Sequence, residues 1–391
     1  MGEDPTVSSA KRVLVITKND FTSRRDGGSK RTAAVIDELS ADGWEVTWLA
    51  CKPTATTGAA AGPRLSDALT ALAILARSFR FISLSTLKWF SFRSAVMLAR
   101  ITRANDFDAV FLEHAQLIAY LPDSAGVRVA NMHNVESELL DNYGASEPSL
   151  ARRFTARFEA TRMRRIETEL VHDVDLVSTV STHDEAQILS RHPHATGRTI
   201  VASNGVDDAF FRVSGTRDHS AVFIGHLGWR PNVDAVRWFT TKVWPIAKGH
   251  ASDLRLQVIG RSPDRGVLAV AGDSISVIAD VPSVLPYLAS AGCATAPLLS
   301  AGGTRIKILE ALAAGTPVVA TSLGALGLEH LAGPHLVITD DPAEFGAAVA
   351  RLAGADADRD EVRDLVRGYG WHSTLAPLLS AVNTVRERAH A

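Results

Sequence analysis

The stretch Ala296-Pro-Leu-Leu-Ser-Ala-Gly-Gly-Thr-Arg-Ile-Lys-Ile-Leu-Glu-Ala-Leu-Ala-Ala-Gly-Thr-Pro-Val-Val-Ala320 passes from a strand through a turn into a helix, and out again into a strand. The first strand ends at Pro297, Gly302 and Gly303 open the turn, and the helix begins near Thr304. Free backbone N–H groups and the positive end of the dipole make a helix N-terminus an anion site. The glycine pair lets a phosphate approach the backbone, and Thr304, Arg305 and Lys307 add a hydroxyl and two cations. Acidic residues are the favoured choice at a helix start, so two basic ones point to an anionic partner. Glu310 lies three residues beyond Lys307 on a neighbouring part of the helix surface. A carboxylate there can accept a vicinal pair of ribose hydroxyls. It can equally form a surface salt bridge with Arg305 or Lys307, and the residues alone leave both readings open.

The same alternation of short apolar runs and amphipathic stretches extends both ways, which is the signature of parallel sheets covered by helices. Upstream, Arg12–Thr17 reads as a buried strand, Lys18–Gly28 as a loop, Ser29–Leu39 as a helix presenting Ala33, Ile36 and Leu39, and Glu45–Ala50 as the second strand. Further strands are expected at Ala109–Glu113, Val127–Asn131, Leu176–Val180 and Thr199–Ala202, and Lys52–Pro63 reads as a loop. A second set begins with Ala221–Gly225 and a helix over Asn232–Ala247. It continues through Leu254–Ile259, Ile275–Ile278, Cys293–Pro297, Pro317–Ala320 and Leu336–Ile338, with helices at Thr304–Ala314, Pro342–Ala353 and Asp358–Tyr369. A polar segment near Asn204–Thr216 suits a linker.

The predicted fold class is therefore α/β, with two Rossmann-like domains facing across a cleft. Residues 1–205 are expected to form the N-terminal domain, with the helix 373–391 packing back on it, and residues 216–372 the C-terminal domain. Open parallel sheets bind ligands beyond the carboxyl ends of their strands, so the chemistry is sought in the loops that follow strands.

The run Gly302–Ala320 resembles the donor-nucleotide segment of family-4-type retaining glycosyltransferases, which have the GT-B architecture. The resemblance extends to Met132-His-Asn-Val-Glu136, Ser203-Asn-Gly-Val-Asp207, Val222–Asp234 and Val258-Ile-Gly-Arg261, in the expected order over nearly the whole chain. The family commonly carries two glutamates in the donor segment. Glu310 matches the second, which binds the ribose, whereas the first falls at Gly302; the chain resembles the subset with Gly-Gly-Thr-Arg-x-Lys there. What holds the donor sugar is the question this departure raises.

Other positions follow from the resemblance and from the strand ends together. Many relatives clamp the diphosphate with an arginine and a lysine in the loop after the first strand of the second domain. Here that loop, Gly225–Asn232, offers His226 and Arg230, against the plain reading of an exposed arginine beside a tryptophan. Gly260 and Arg261 follow the next strand, where a glycine permits close approach to the nucleotide. Ala279, Asp280 and Val281 would hold the base through backbone groups, with Asp280 alternatively a helix cap before Ser283–Leu288. In the first domain Asp26-Gly27-Gly28 closes the loop after the first strand, and Gly28 is expected at the donor. The resemblance places a functional histidine at His133, near the donor sugar, and His114 is the competing candidate.

Composition bounds the rest. The chain has 391 residues, 46% hydrophobic and 21% charged, with a net charge of −2, an ordinary profile that argues against nucleic acid as a partner. With only Cys51 and Cys293, a disulfide framework is excluded and a reducing, cytoplasmic setting fits. Neither a signal peptide nor a spanning helix is expected. Residues 69–103 carry Arg77, Arg80, Lys88, Arg93, Arg100 and Arg103 among many apolar residues with no acid, and residues 149–165 add six arginines against Glu159. Such basic amphipathic stretches suit an anionic membrane surface, at the inner face of the membrane, and would also suit a lipid-linked acceptor. The alternative is helices whose arginine stems cover the core.

The resemblance implies transfer of a sugar from a nucleotide-diphosphate donor to a glycan, lipid-linked or small-molecule acceptor, with retention at the anomeric carbon. Arg230, Arg305, Lys307 and the helix start would stabilise the leaving diphosphate, His133 would orient the sugar, and no metal or other cofactor is expected. A sugar-nucleotide epimerase of the same architecture and a catalytically silent sugar-nucleotide-binding protein are the rival readings. A nicotinamide dehydrogenase is disfavoured because the first strand–helix turn lacks Gly-x-Gly-x-x-Gly.

Overall fold

The computed structural model describes residues 11–22, 24, 26–52, 65–80, 83–123, 126–147, 149–300 and 306–390. Most of the expected loop Lys52–Pro63, and Gly302, Gly303, Thr304 and Arg305, lie outside the described residues. The chain divides into two compact units, Met1–Ala202 with Leu375–Ala391, and Ser203–Thr374.

In the first unit the strands are β1 (Lys11–Asn19), β2 (Trp44–Lys52), β3 (Ala109–Glu113), β4 (Val127–Asn131), β5 (Leu176–Thr179) and β6 (Thr199–Val201). The helices are α1 (Gly27–Ala41), α2 (Leu65–Arg80), α3 (Leu84–Leu87), α4 (Phe92–Ala104), α5 (Glu136–Ser146), α6 (Leu150–Asp173) and α7 (Thr182–Arg191). The sheet is parallel, in the order β2-β1-β3-β4-β5-β6. Its strands read as apolar runs because helices cover both faces: Val13–Ile16 and Ala109–Leu112 are fully buried. The chain leaves β1 for β2 on one side and returns to β3 on the other, so the strand order reverses between β1 and β3. That reversal opens a crevice at the carboxyl ends of these two strands.

The second unit contains β7 (Ser220–Ile224), β8 (Arg255–Gly260), β9 (Ile275–Ala279), β10 (Cys293–Ala296), β11 (Val318–Ala320) and β12 (Leu336–Ile338). Its helices are α8 (Asp208–Phe211), α9 (Arg230–Trp238), α10 (Trp244–His250), α11 (Arg265–Leu268), α12 (Leu285–Ser290), α13 (Ile306–Ala313), α14 (Pro342–Ala353) and α15 (Arg359–Asp364). The sheet is again parallel, in the order β12-β11-β10-β7-β8-β9, with its reversal between β7 and β10. Two apolar cores flank it, one around Leu309, Leu312 and Val366 and the other around Phe239, Val258 and Phe345. The last helix, α16 (Trp371–His390), begins in this unit, and from Leu375 onward it belongs to the first unit, where Arg386 bonds Asp108 at 3.2 Å.

Several element boundaries differ from expectation for identifiable reasons. The first helix starts at Gly27 rather than Ser29 because Asp26 caps it: the Asp26 carboxylate accepts from the Ser29 N–H and the Ser29 hydroxyl accepts from the Asp26 N–H. Its buried face centres on Arg31, Thr32 and Val35, while Ile36 is only half-buried. The helix expected over Asn232–Ala247 contains a π segment, Phe239–Val243, just before Pro245. The expected helix Asp358–Tyr369 ends at Asp364.

Candidate functional site

Both sheet reversals gather polar side chains. In the second unit the loop after β7 and the helix after β10 meet there. Asn232, buried on α9, donates from its amide to the His226 carbonyl at 3.0 Å and accepts from Lys307 Nζ of α13 at 3.2 Å. The Lys307 ammonium also lies 5.0 Å from the centre of the Phe223 ring on β7. Lys307 is thus held at the carboxyl end of the sheet by an amide and an aromatic face. Glu310, one turn further along α13, is 4% exposed. Asn232 is a participant that sequence reading passed over as a helix residue; its signal was the short spacing from Gly225, since any side chain at 225 would strike the Asn232 amide.

The remaining positions of this unit are spread along the same end of the sheet. The His226 ring accepts from the Gly228 N–H at 3.1 Å, which folds the loop back on itself. Arg230 opens α9 half-exposed and its Nε donates to Asp234 at 2.7 Å, so its charge rests in an i,i+4 ion pair. Gly260 has a packing role of its own. A Cβ at 260 would collide with the Gly225 carbonyl oxygen and sit 2.8 Å from its carbon, so glycine is needed there for two neighbouring strand ends to pass. Arg261 is half-buried directly after it. Asp280 is not the helix cap: its φ is 53° and its carboxylate accepts from the Ser262 N–H at 3.3 Å, while the Ser283 hydroxyl serves the N–H of Leu285 at the start of α12. Ala279 closes β9 beside Gly260, and Val281 is half-buried.

In the first unit the reversal between β1 and β3 holds a buried polar network. Parallel pairing sets Glu113, the last residue of β3, beside Asn131, the last of β4. The Asn131 amide donates to Glu113 Oε1 at 2.8 Å, and the Thr32 hydroxyl donates to Oε2 at 3.0 Å. His133 Nε2 lies 2.7 Å from the same Oε2. Arg31 of α1, 1% exposed, donates to Asn131 Oδ1 at 2.8 Å. The rings of His133 and His114 touch in a tilted pair, with centroids 3.9 Å apart and planes 43° apart. Both turn a nitrogen toward Gly28 in the first turn of α1: a Cβ there would lie 3.7 Å from His133 Nδ1 and 4.0 Å from His114 Nε2. The structure thus brings His133, His114 and Gly28 together. His114 reaches its place with φ at 95°, a conformation that costs a non-glycine residue about 1–3 kcal/mol.

Electrostatics define the protonation states. Burial depresses the His133 pKa, and the Glu113 carboxylate only partly offsets it. Burial, then the neighbouring His133, Lys18 and Arg31, holds His114 well below the usual imidazole range. Burial pushes the Glu113 carboxyl up, but His133, Asn131 and Arg31 bring it net below its ordinary value. Burial lowers Arg31 to about 10, opposed by Glu113 and Asp184. Near neutral pH the arrangement is a carboxylate, two neutral imidazoles and a guanidinium. His133 then donates its Nε2 proton to Glu113 and keeps the Nδ1 lone pair toward Gly28. Lys18, near the end of β1, is half-buried, and its Nζ lies 3.6 Å from Glu136. Sequence reading named neither Arg31, Asn131 nor Lys18 as functional and treated Glu113 only as a strand end. A charged residue closing the apolar run Ala109–Leu112 was the available signal.

Among the described residues, no group of three or more His, Cys, Asp or Glu is placed to hold a metal ion, and no helix is long and apolar enough to cross a membrane. The arginines of the basic stretch 69–103 are largely neutralised in place. Arg77 pairs with Asp173, Arg80 with Glu169, and Arg100 and Arg103 both with the buried Asp67. Asp67 lies just before the stretch in sequence, and only folding brings it to them.

Comparison with known proteins agrees with this layout. Residues 25–210 match the model for Glycosyltransferase Family 4, and residues 218–355 match that for Glycosyl transferases group 1. An uncharacterized 44.6 kDa protein in the cps region of Klebsiella pneumoniae is 26% identical over 136 residues, 32% of this chain and 35% of that one. The match therefore spans about a third of that relative. Sucrose-phosphate synthase from Thermosynechococcus elongatus superposes with a TM-score of 0.65 at 14% identity, over 97% of this chain and 98% of that one. S. aureus TarM, solved with fondaparinux, α-GlcNAc-glycerol and UDP, superposes with a TM-score of 0.58 at 12% identity, over 74% of this chain but only 58% of its own. These structural likenesses establish the fold, two Rossmann-like domains of the GT-B class.

Proposed function

We propose that this chain, a glycosyltransferase of the family 4 type by its two domain matches, moves a sugar from a nucleotide-diphosphate donor to an acceptor hydroxyl with retention of anomeric configuration. The observation that carries the reading is the meeting of Lys307, Asn232 and the His226 loop at the reversal of the second sheet. An open parallel sheet binds nucleotides at that point, and Lys307 is an ammonium held where a diphosphate would lie. Glu310 on the same helix would take the ribose hydroxyls.

The leaving diphosphate gains charge as the glycosidic bond breaks. Lys307, Arg305, the N–H groups around Gly302–Thr304, and Arg230 once released from Asp234 would stabilise that charge. Gly260, Arg261 and the backbone of Ala279–Val281 would line the nucleoside. His133 would hold the sugar by accepting from one of its hydroxyls through Nδ1. The acceptor hydroxyl would attack on the face the diphosphate leaves, and the departing phosphate would take its proton. The basic side chains supply the charge neutralisation, so no metal enters this scheme. A role in glycan, glycolipid or cell-surface polysaccharide synthesis on the cytoplasmic side of a membrane follows from this reading.

Calorimetric titration with UDP, GDP and their common sugar conjugates tests it. One nucleotide should bind, and Glu310→Ala should weaken it by about 1.5–3 kcal/mol, the cost of losing a bond to a charged group. Absence of binding to any of them would refute the donor site. Binding without turnover across acceptors would favour the silent binding protein.

A further inference from the structure

Large apolar side chains are exposed at several places on the first unit, Leu69, Leu72 and Phe79 of α2 among them, and the two most exposed of all lie on α6. Leu150 is 77% exposed, Phe154 73% and Phe158 39%, all on α6. Their spacing of four residues sets them within about 80° of one another around the helix. The residues that anchor α6, Ala156, Glu159, Ala160 and Met163, are buried on the opposite side. Leu84, at the start of α3, is 62% exposed, and its N–H donates to the Glu159 carboxylate at 3.0 Å, which ties the start of α3 to α6.

Charge surrounds this stripe with one sign. Arg157 and Arg165, which flank the stripe, are exposed, and among the described residues neither has an acidic partner within ion-pair distance. The Arg162 guanidinium lies over the Phe158 ring at 4.9 Å. The one acid in this part of α6, Glu159, is turned inward, where it accepts from Ser83, Leu84 and Ser85. Helix α6 therefore buries its carboxylate and displays its phenyl and guanidinium groups.

We propose that the outward face of α6, from Leu150 to Arg165 with Leu84, docks on a bilayer surface carrying anionic lipid headgroups. Leu150, Phe154, Phe158 and Leu84 enter the boundary between headgroups and acyl chains, while Arg157, Arg162 and Arg165 meet the phosphates. A second copy of the chain is a poor occupant of the same face, because it would oppose arginine to arginine. The basic stretch 69–103 contributes less than its composition suggests, since four of its arginines already hold acids. The inference stands on this surface alone and does not depend on the donor site.

Co-sedimentation of the full chain with vesicles of phosphatidylcholine, alone or mixed with phosphatidylglycerol, tests it. The chain should bind the mixed vesicles at low salt on the order of tenfold more tightly than the neutral ones, and lose that margin as salt rises. L150S combined with F154S should abolish binding. Because both side chains are exposed, the variant should melt with the parent; should it fail to fold, R157E combined with R165E serves instead. No binding to the mixed vesicles, or binding that survives both variants, would overturn the proposal. So would a parent dimer in light scattering that L150S/F154S dissolves, or binding to polyglutamate without binding to vesicles.

Discussion

Replacement of Glu113 by glutamine is the sharpest perturbation of the first unit, because the carboxylate receives three donors at once. Thr32, Asn131 and His133 donate to it at 3.0, 2.8 and 2.7 Å. A hydrogen bond to a charged acceptor contributes about 1.5–3 kcal/mol and one between neutral groups about 0.5–1.5, so each of the three loses about 1 kcal/mol. The expected loss is about 3 kcal/mol, or about 6–12 °C in the melting temperature of a unit this size. A glutamine also presents an N–H₂ where there was an oxygen. If it faces Asn131, that amide must flip and forfeit its bond from Arg31. If it faces His133 and Thr32, which share Oε2, the Thr32 hydroxyl turns to accept, and the imidazole must accept at Nε2 and carry its proton on Nδ1 instead. The second rearrangement breaks fewer bonds, so E113Q should switch the His133 tautomer. Nitrogen-15 shifts of the ring read the tautomer directly. The Nδ1 lone pair proposed to receive a sugar hydroxyl would be gone, at about 1–3 kcal/mol, and kcat/KM should fall roughly 10–100-fold. The control is Thr32→Val, which removes one donor and about 1 kcal/mol while leaving His133 as it is, and it should retain turnover. A His133 proton still on Nε2 in E113Q, with kcat/KM within about twofold of the parent, would refute the reasoning.

Three further outcomes are expected. Lys307→Met should keep the fold and reduce turnover on the order of 100-fold by removing a charge from the leaving diphosphate; an unchanged kcat would separate Lys307 from the chemistry. Gly260→Ala should destabilise the second unit by about 2–4 kcal/mol, because the new methyl must push aside the Gly225 carbonyl and strain the Gly225–Ile259 hydrogen bond. Hydrogen exchange at Val222–Ile224 should rise while exchange at Val13–Ile16 stays as in the parent, and equal protection at both would contradict the packing account. The first unit should lose stability in acid. His114 and His133 have folded pKa values below their ordinary 6.5, so as pH falls through that value the unfolded chain takes up protons that the folded one refuses. The stability these groups contribute is present above about pH 6.5 and is lost progressively below it, together with that of the depressed Glu113 at lower pH. Thermal melts across this range should show the decline, and His114→Gln should make it shallower.

Sequence alone determined the architecture, because short apolar runs, glycine turns and amphipathic stretches are local properties that survive without knowledge of their neighbours. It also placed Lys307, Glu310, Gly225, His226 and His133 after strands, since a parallel sheet puts every strand's carboxyl end on one side. The reason for each residue was less legible. Gly260 looked like a place for ligand approach, and the sequence did not show that it is also where two neighbouring strand ends pass. Asp280 looked like a cap and instead holds the Ser262 N–H. The Arg31–Asn131–Glu113–His133 network was hidden because its members come from α1, from the ends of β3 and β4 and from the loop after β4. Only strand register sets Glu113 beside Asn131. Arg31 on a predicted helix reads as a solvated cation, and tertiary packing alone buries it. The basic stretch 69–103 showed the same limit in reverse: its arginines are neutralised by Asp67, Glu169 and Asp173, which only folding brings within reach. Periodicity is written along the chain, whereas a buried charge is defined by what surrounds it in space.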